Sequence, residues 1–169
     1  CIYPVKTPAL CGKETGHMAD YDVYYFGGIA GKVNGAFTLR NCVNRGNLTA
    51  AVERDIAGIA VSGGYDAVFE NCENYGNITV APNHKPNEGD RWRPCVAGIV
   101  AIENDVTTTI TNCTSDCVID ATVYRATSID KVYVFQKTWE NGTEDTKTVC
   151  DEASKSNSAG TTINITTRE

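Results

Sequence analysis

The sequence predicts an all-β chain, a short right-handed parallel β-helix (β-solenoid) of about three repeats with flanking β-strand extensions. Three observations predict it. First, one unit recurs between Phe26 and Thr122: Gly27-Gly28-Ile29-Ala30, Ala57-Gly58-Ile59-Ala60 and Ala97-Gly98-Ile99-Val100 each precede a β-branched stretch and then an Asn-Cys pair. Second, the first two copies are offset by 30 residues, Gly28 to Gly58 and Cys42 to Cys72, and a fixed period of this length signals stacked supersecondary units. Third, each copy alternates short apolar runs with Gly, Asn and Asp, the pattern of short strands separated by tight corners.

The elements follow in order. Residues 1–25 read as an N-terminal extension or cap, in which Pro4, Pro8, Gly12 and Gly16 interrupt regular structure and Asp20 to Phe26 is rich enough in aromatics for a strand. Residues 26–122 form the three-repeat solenoid. Its apolar runs, Phe26 to Val33, Ile56 to Val61 and Val96 to Ile102, each suit one strand. A second strand is expected at Ala36 to Arg40, Ala67 to Glu70 and Thr107 to Thr111, and the Asn-Cys stretch makes a corner before a third. Residues 123–169 read as a β-hairpin, Lys131 to Gln136 returning as Thr146 to Cys150, then a polar linker from Ser154 to Gly160 and a strand-like tail at Thr161 to Thr167.

Within the repeat, Cys42, Cys72 and Cys113 hold equivalent places while the next residue varies (Val43, Glu73, Thr114), so the cysteines are expected to face inward as a buried column. Asn44 and Asn74 are placed to hydrogen-bond turn backbone or one another in a ladder. Gly46 and Gly76 are expected to take a positive φ, a place Cys117 fills in the third copy.

The pattern Gly-Ile-Ala-Gly, a strand, then Asn-Cys-x-Asn-x-Gly-Asn-Leu/Ile-Thr resembles the GLUG-type and related glycine-rich Asn-Cys repeats of large surface proteins. The resemblance covers residues 26–122. It implies a β-solenoid stalk or adhesive module at a cell surface, and it brings no catalytic residues.

Composition bounds the function. The chain has 169 residues, a net charge of −6 and a pI near 4.9, which argues against nucleic acid and against an anionic membrane surface. No apolar run approaches the length of a membrane span, so membrane insertion is not expected. The chain starts without Met or a signal-peptide pattern and reads as a portion of a longer product. Eight cysteines with only two histidines, His17 and His84, point to disulfides in a secreted protein plus buried thiols rather than a metal site. Cys1, Cys11, Cys95, Cys117 and Cys150 remain outside the column; Cys1 and Cys11 could close a small loop, and Cys1 also carries a lipid-anchor reading. N-glycosylation acceptors stand at Asn47, Asn77, Asn112, Asn141 and Asn164, more than this composition would place by chance, and they favour an extracellular setting.

No catalytic motif is present, no cofactor is implied, and the chain reads as a non-enzyme. Two functional classes are expected. One is a self-assembling structural glycoprotein, a filament or surface-layer subunit whose partners are other copies of itself, joined by terminal strands that include Ile163 and Ile165. The other is a cell-surface adhesin or glycan-binding module using the contact loop that holds His84, Arg91, Trp92 and Arg93, a locally basic and aromatic stretch in an acidic chain. Its alternative reading is an ordinary surface insertion with Trp92 folded back on the solenoid.

Overall fold

The computed structural model describes residues 2–3, 9–10, 23–50, 52–63, 66–81, 95–103, 107–123, 128–135 and 147–168. Two short strands come first, β1 (Ile2–Tyr3) and β2 (Ala9–Leu10). The first full coil is β3 (Val23–Gly27), β4 (Ala30–Val33), β5 (Phe37–Arg40), β6 (Val43–Asn44) and β7 (Leu48–Ala50). The second is β8 (Val52–Ala57), β9 (Ala60–Ser62), β10 (Ala67–Glu70), β11 (Glu73–Asn74) and β12 (Ile78–Val80). The third is β13 (Cys95–Ala97), β14 (Val100–Ile102), β15 (Thr108–Thr111), β16 (Thr114–Ser115) and β17 (Val118–Val123). A last coil contributes β18 (Ser128–Asp130), β19 (Tyr133–Phe135), β20 (Thr148–Cys150), the helix α1 (Glu152–Asn157) and β21 (Thr162–Thr167).

The strands stack into five parallel sheets: A (β1-β6-β11-β16), B (β2-β7-β12-β17-β21), C (β3-β8-β13-β18), D (β4-β9-β14-β19) and E (β5-β10-β15-β20). The register follows the repeat, with Phe69 between Leu39 and Ile110 and Ile78 between Leu48 and Ile119. The chain is therefore a parallel β-solenoid, as the period implies.

Each apolar run expected as one strand is two. At Gly28-Ile29, Gly58-Ile59 and Gly98-Ile99 the chain bends from sheet C into sheet D, so Ala57 and Ala60 belong to different sheets. The bend points inward. A Cβ on Gly58 would lie 2.0 Å from the Gly98 carbonyl oxygen and 2.4 Å from the Asn74 amide of sheet A, and Gly28 and Gly98 stand in the same way against Asn44 and Ser115. Only glycine allows this approach. The inward corner divides the interior in two, one cluster built on Ile59, Phe69, Cys72, Ile99 and Ile110 and another on Leu48, Ile56, Ile78, Val96 and Ile119.

The expectation for Gly46 and Gly76 is corrected. Among the described glycines only Gly35 has a positive φ, and the left-handed positions in the corners are Asn41, Asn71 and Asn112, at 55°, 52° and 49°. Asparagine tolerates that region because its short amide bonds locally. Gly76 is small for a different reason: a Cβ there would sit 1.9 Å from the Gly46 carbonyl oxygen one coil below.

The hairpin expected over 131–150 does not form. β19 extends sheet D beside β14 and β20 extends sheet E beside β15, each in parallel. The polar linker expected at 154–160 is instead largely α1. Asp151 caps it, accepting from the Ser154 N–H at 2.8 Å, and Glu152 and Lys155 pair across one turn.

Candidate functional site

Two asparagine ladders bind the coils together. Inside, Asn44 Nδ2 donates to Asn74 Oδ1 at 2.8 Å, while each of the two side chains brackets its own corner by accepting from the Gly46 or Gly76 N–H and donating to the same residue's carbonyl. The third coil substitutes Ser115 and Cys117, and Asn74 Nδ2 donates to Cys117 Sγ. Outside, Asn71 donates to Asn41, Asn112 to Asn71 and Asn157 of α1 to Asn112. These polar groups are spent on stacking.

The acceptor asparagines lie on this framework. Asn47 Oδ1 accepts from the Asn77 N–H and Asn77 Oδ1 from the Val118 N–H, with both side chains exposed. The Asn112 amide is held between Asn71 and Asn157, and Asn164 Nδ2 donates to Asp120 at 2.6 Å. Asn141 lies outside the described residues.

Cys42, Cys72 and Cys113 are buried, unbridged and stacked one coil apart, and the Sγ of Cys72 and Cys113 face the Leu39 and Phe69 carbonyls of the coil below. Burial pushes the Cys42 thiol up. The hydrogen bond shared by the other two draws Cys72 down to about 7 and drives Cys113 up; burial opposes a thiolate in both, and we read the pair as two thiols. Cys95, Cys117 and Cys150, whose pairing the sequence leaves open, form no disulfide among the described residues. Each fills an apolar site of its own, and burial holds Cys150 up at about 11 and raises Cys117. Cys1 and Cys11 lie outside the described residues. Among the described residues no group of three His, Cys, Asp or Glu could hold a metal ion, and no helix is long and apolar enough to cross a membrane.

The C-terminal end carries the tail. Ile163 and Ile165 do not wait for another chain: β21 pairs with β17 over six positions, Val118↔Thr162 to Val123↔Thr167. Ile163 packs against the interior cluster, whereas Ile165 is 56% exposed. The N–H groups of Thr162 and Arg168 reach the Cys117 and Val123 carbonyls, so even-numbered residues of β21 bond inward to β17. By alternation, the backbone of Ile163, Ile165 and Thr167 faces the far edge, on which no strand is paired among the described residues.

A second feature lies on the outer faces of sheets C and D. Because their shared corner folds inward, Ala57, Val61, Cys95, Ala97, Ala101 and Val134 gather there with Tyr25 in a cluster separate from the interior. At its edge, Lys32 pairs with Glu103, the Tyr25 hydroxyl donates to the same carboxylate, and the Lys32 ammonium lies 4.4 Å from the Tyr25 ring centre. Gly63 makes room for this clamp across three coils. In chain order, 82–94 and 124–127 join strands of sheets B and C, and 104–106 and 136–146 join strands of sheets D and E. His84, Arg91, Trp92 and Arg93 belong to the first of these and lie outside the described residues.

The composition of the sequence alone could not place β21, because its pairing depends on α1 crossing sheet A and returning the chain to sheet B. The signal that was available is Asp151-Glu152-Ala153-Ser154, an N-cap followed by good helix formers. No protein-family model matches this chain, and neither the curated proteins nor the solved structures contain a significant match.

Proposed function

We propose that this protein is a non-catalytic, extracellular structural glycoprotein that assembles with copies of itself through its terminal β-strand. The observation that carries the reading is the outer edge of β21. It is six residues long, uncharged, free of proline and glycine, and rich in Thr and Ile, the composition of a segment that accepts another strand. Proteins that avoid such contacts place charge or proline on their edges, and Thr162-Ile163-Asn164-Ile165-Thr166-Thr167 has neither. The use of Asn44, Asn74, Asn71 and Asn112 in stacking supports a structural rather than a catalytic role. The five acceptor sites support passage through a secretory pathway, and the GLUG-type likeness of the repeat belongs to the same reading.

The test is sedimentation velocity with negative-stain electron microscopy of the full chain beside Ile165→Pro. Proline at this position removes a donor from the outer edge and leaves the inward bonds to β17 in place. Chains or filaments in the native protein that are lost in the variant support the proposal; a native protein that stays monodisperse at every concentration contradicts it.

One observation favours a second reading, a glycan-binding or adhesive module. Insertions in a solenoid often gather on its binding face. Both tryptophans of the chain, Trp92 and Trp139, fall in sequence segments that lead into sheet C or out of sheet D, the two sheets that carry the second cluster. Glycan-array binding that is lost in Trp92→Ala, with assembly unchanged, would select this reading.

A further inference from the structure

We infer that α1 is a removable cap that confines strand addition at the C-terminal end to sheet B, and that undocking it opens sheet A to a strand from a second copy. The inference rests on the reading of β21 as an accepting edge.

Sheet A ends at β16, and the next position in its stack is taken by α1 rather than by a strand. The helix runs along β16 and supplies from its side chains what a strand would supply from its backbone. Ser154 Oγ accepts from the Cys113 N–H at 2.9 Å and Ser158 Oγ from the Ser115 N–H at 2.9 Å. Thr161 Oγ1, just beyond the helix, donates to the Ser115 carbonyl at 2.7 Å. Asp151 closes the near end by accepting from the Asn112 N–H, and its own N–H reaches the Ile110 carbonyl. Ser154 and Ser158 are fully buried.

A helix is about 10 Å across, whereas successive strands lie about 4.8 Å apart, so no incoming strand can reach β16 while α1 is docked. Covering a sheet edge with a helix is a recognised way of keeping it from pairing with another chain. The hydroxyls are also the whole of the polar contact to the Cys113 and Ser115 amides, and a helix of six residues has little stability apart from its contacts. Release of α1 would bare sheet A beside the already open edge of β21, and the C-terminal end would gain a second accepting edge. A second copy is the fitting occupant because every sheet of this chain is built by parallel addition, and the β1-β6-β11-β16 stack of sheet A keeps one register throughout, so its own strands match the exposed edge.

The experiment uses the full chain in the Ile165→Pro background, where addition at β21 is blocked and remaining association must come from elsewhere. Two further substitutions undock α1 by different routes. Ser156→Pro breaks the helix at an exposed position, and Ser154→Arg places a long cation where only a buried hydroxyl fits. Ser156→Ala, at the same exposed position, keeps the helix and serves as the control. Amide exchange of Ile59 and Ile99 in the middle coils reports that the body stays folded, and exchange of Cys113 and Ser115 reports undocking. The expected result is concentration-dependent association in sedimentation at about tenfold lower protein concentration in at least one undocking variant, with Ser156→Ala unchanged. Failure of both undocking variants to associate, or an equal gain in Ser156→Ala, overturns the inference. The native chain without Ile165→Pro, run beside them, reports on β21 alone, so loss of that reading is visible separately.

Discussion

The middle coils and the last coil solve the same problem by different means. In coil two every strand has a strand above and below, and identical or near-identical residues stack across the coils: Asn44 on Asn74, Cys42 on Cys72, Ile59 on Ile99. In the last coil a helix takes over one sheet, and among the described residues no strand pairs with the outer edge of β21. The middle is held by repetition, the end by substitution. Repetition leaves no room for a Cβ at the inward corner glycines Gly28, Gly58 and Gly98, whereas the last coil presents its outer edge without such packing.

The largest expected effect is at the inward corner. Gly58→Ala puts a methyl group within 2.0 Å of the Gly98 carbonyl oxygen and against Asn74, all of it backbone or packed amide. The expected loss is about 3 kcal/mol of unfolding free energy, read by denaturant titration. The same substitution at Gly35, where nothing lies within 4 Å but φ is +84°, isolates the conformational cost alone and should be milder, about 1 kcal/mol.

Next comes the inner ladder. Asn74→Ala strips partners from Asn44 Nδ2 and from both backbone groups of Gly76, all buried, and should cost about 2–3 kcal/mol. Its outer counterpart, Asn71→Gly, keeps the left-handed corner unstrained and should cost well under half as much, because water replaces the lost bonds. Equal losses at the two positions would show that burial is not what separates the ladders.

At the end of the molecule, Asp151→Ala removes the cap of α1 and the acceptor for Asn112, for about 1 kcal/mol. The pH dependence has a definite sign. Hydrogen bonds from Ser154 hold the Asp151 carboxyl below its ordinary value of 3.8. Its contribution is therefore complete above that value and is lost as pH falls through the lower folded one. Exchange of the Cys113 and Ser115 amides should rise in acid before that of Ile59, and the difference should vanish in Asp151→Ala. The smallest effect on stability belongs to Ile165→Lys, within about 0.5 kcal/mol, yet this variant should lose self-association because a charge now sits on the accepting edge.

Much of the middle was legible from the residues. The period of the repeat carries the register directly, and variability after each cysteine identified the inward column. The corner at Gly58-Ile59 was not legible as a bend, because an apolar run buried on both faces reads the same whether it is one strand or two. The role of Gly76 was mistaken for a similar reason: a glycine kept small by a neighbour one coil away and a glycine kept for its φ have the same local sequence. The end was the least legible. Lys131 to Phe135 and Thr148 to Cys150 each carry strand propensity, and nothing local says that they join different sheets rather than each other. For the candidate site, a strand at Thr161 to Thr167 could be read from an apolar pair, Ile163 and Ile165, in a polar tail. Their partner within the chain could not, since that follows from α1 steering the chain back over sheet B.

The most direct test of the assembly is amide exchange along β21 at low and high protein concentration. Thr162, Asn164 and Thr166 bond inward and should be protected at both concentrations. Ile163, Ile165 and Thr167 should exchange freely when dilute and become protected as particles form. Assembled particles in which those three amides still exchange as in the dilute protein would contradict strand addition at this edge.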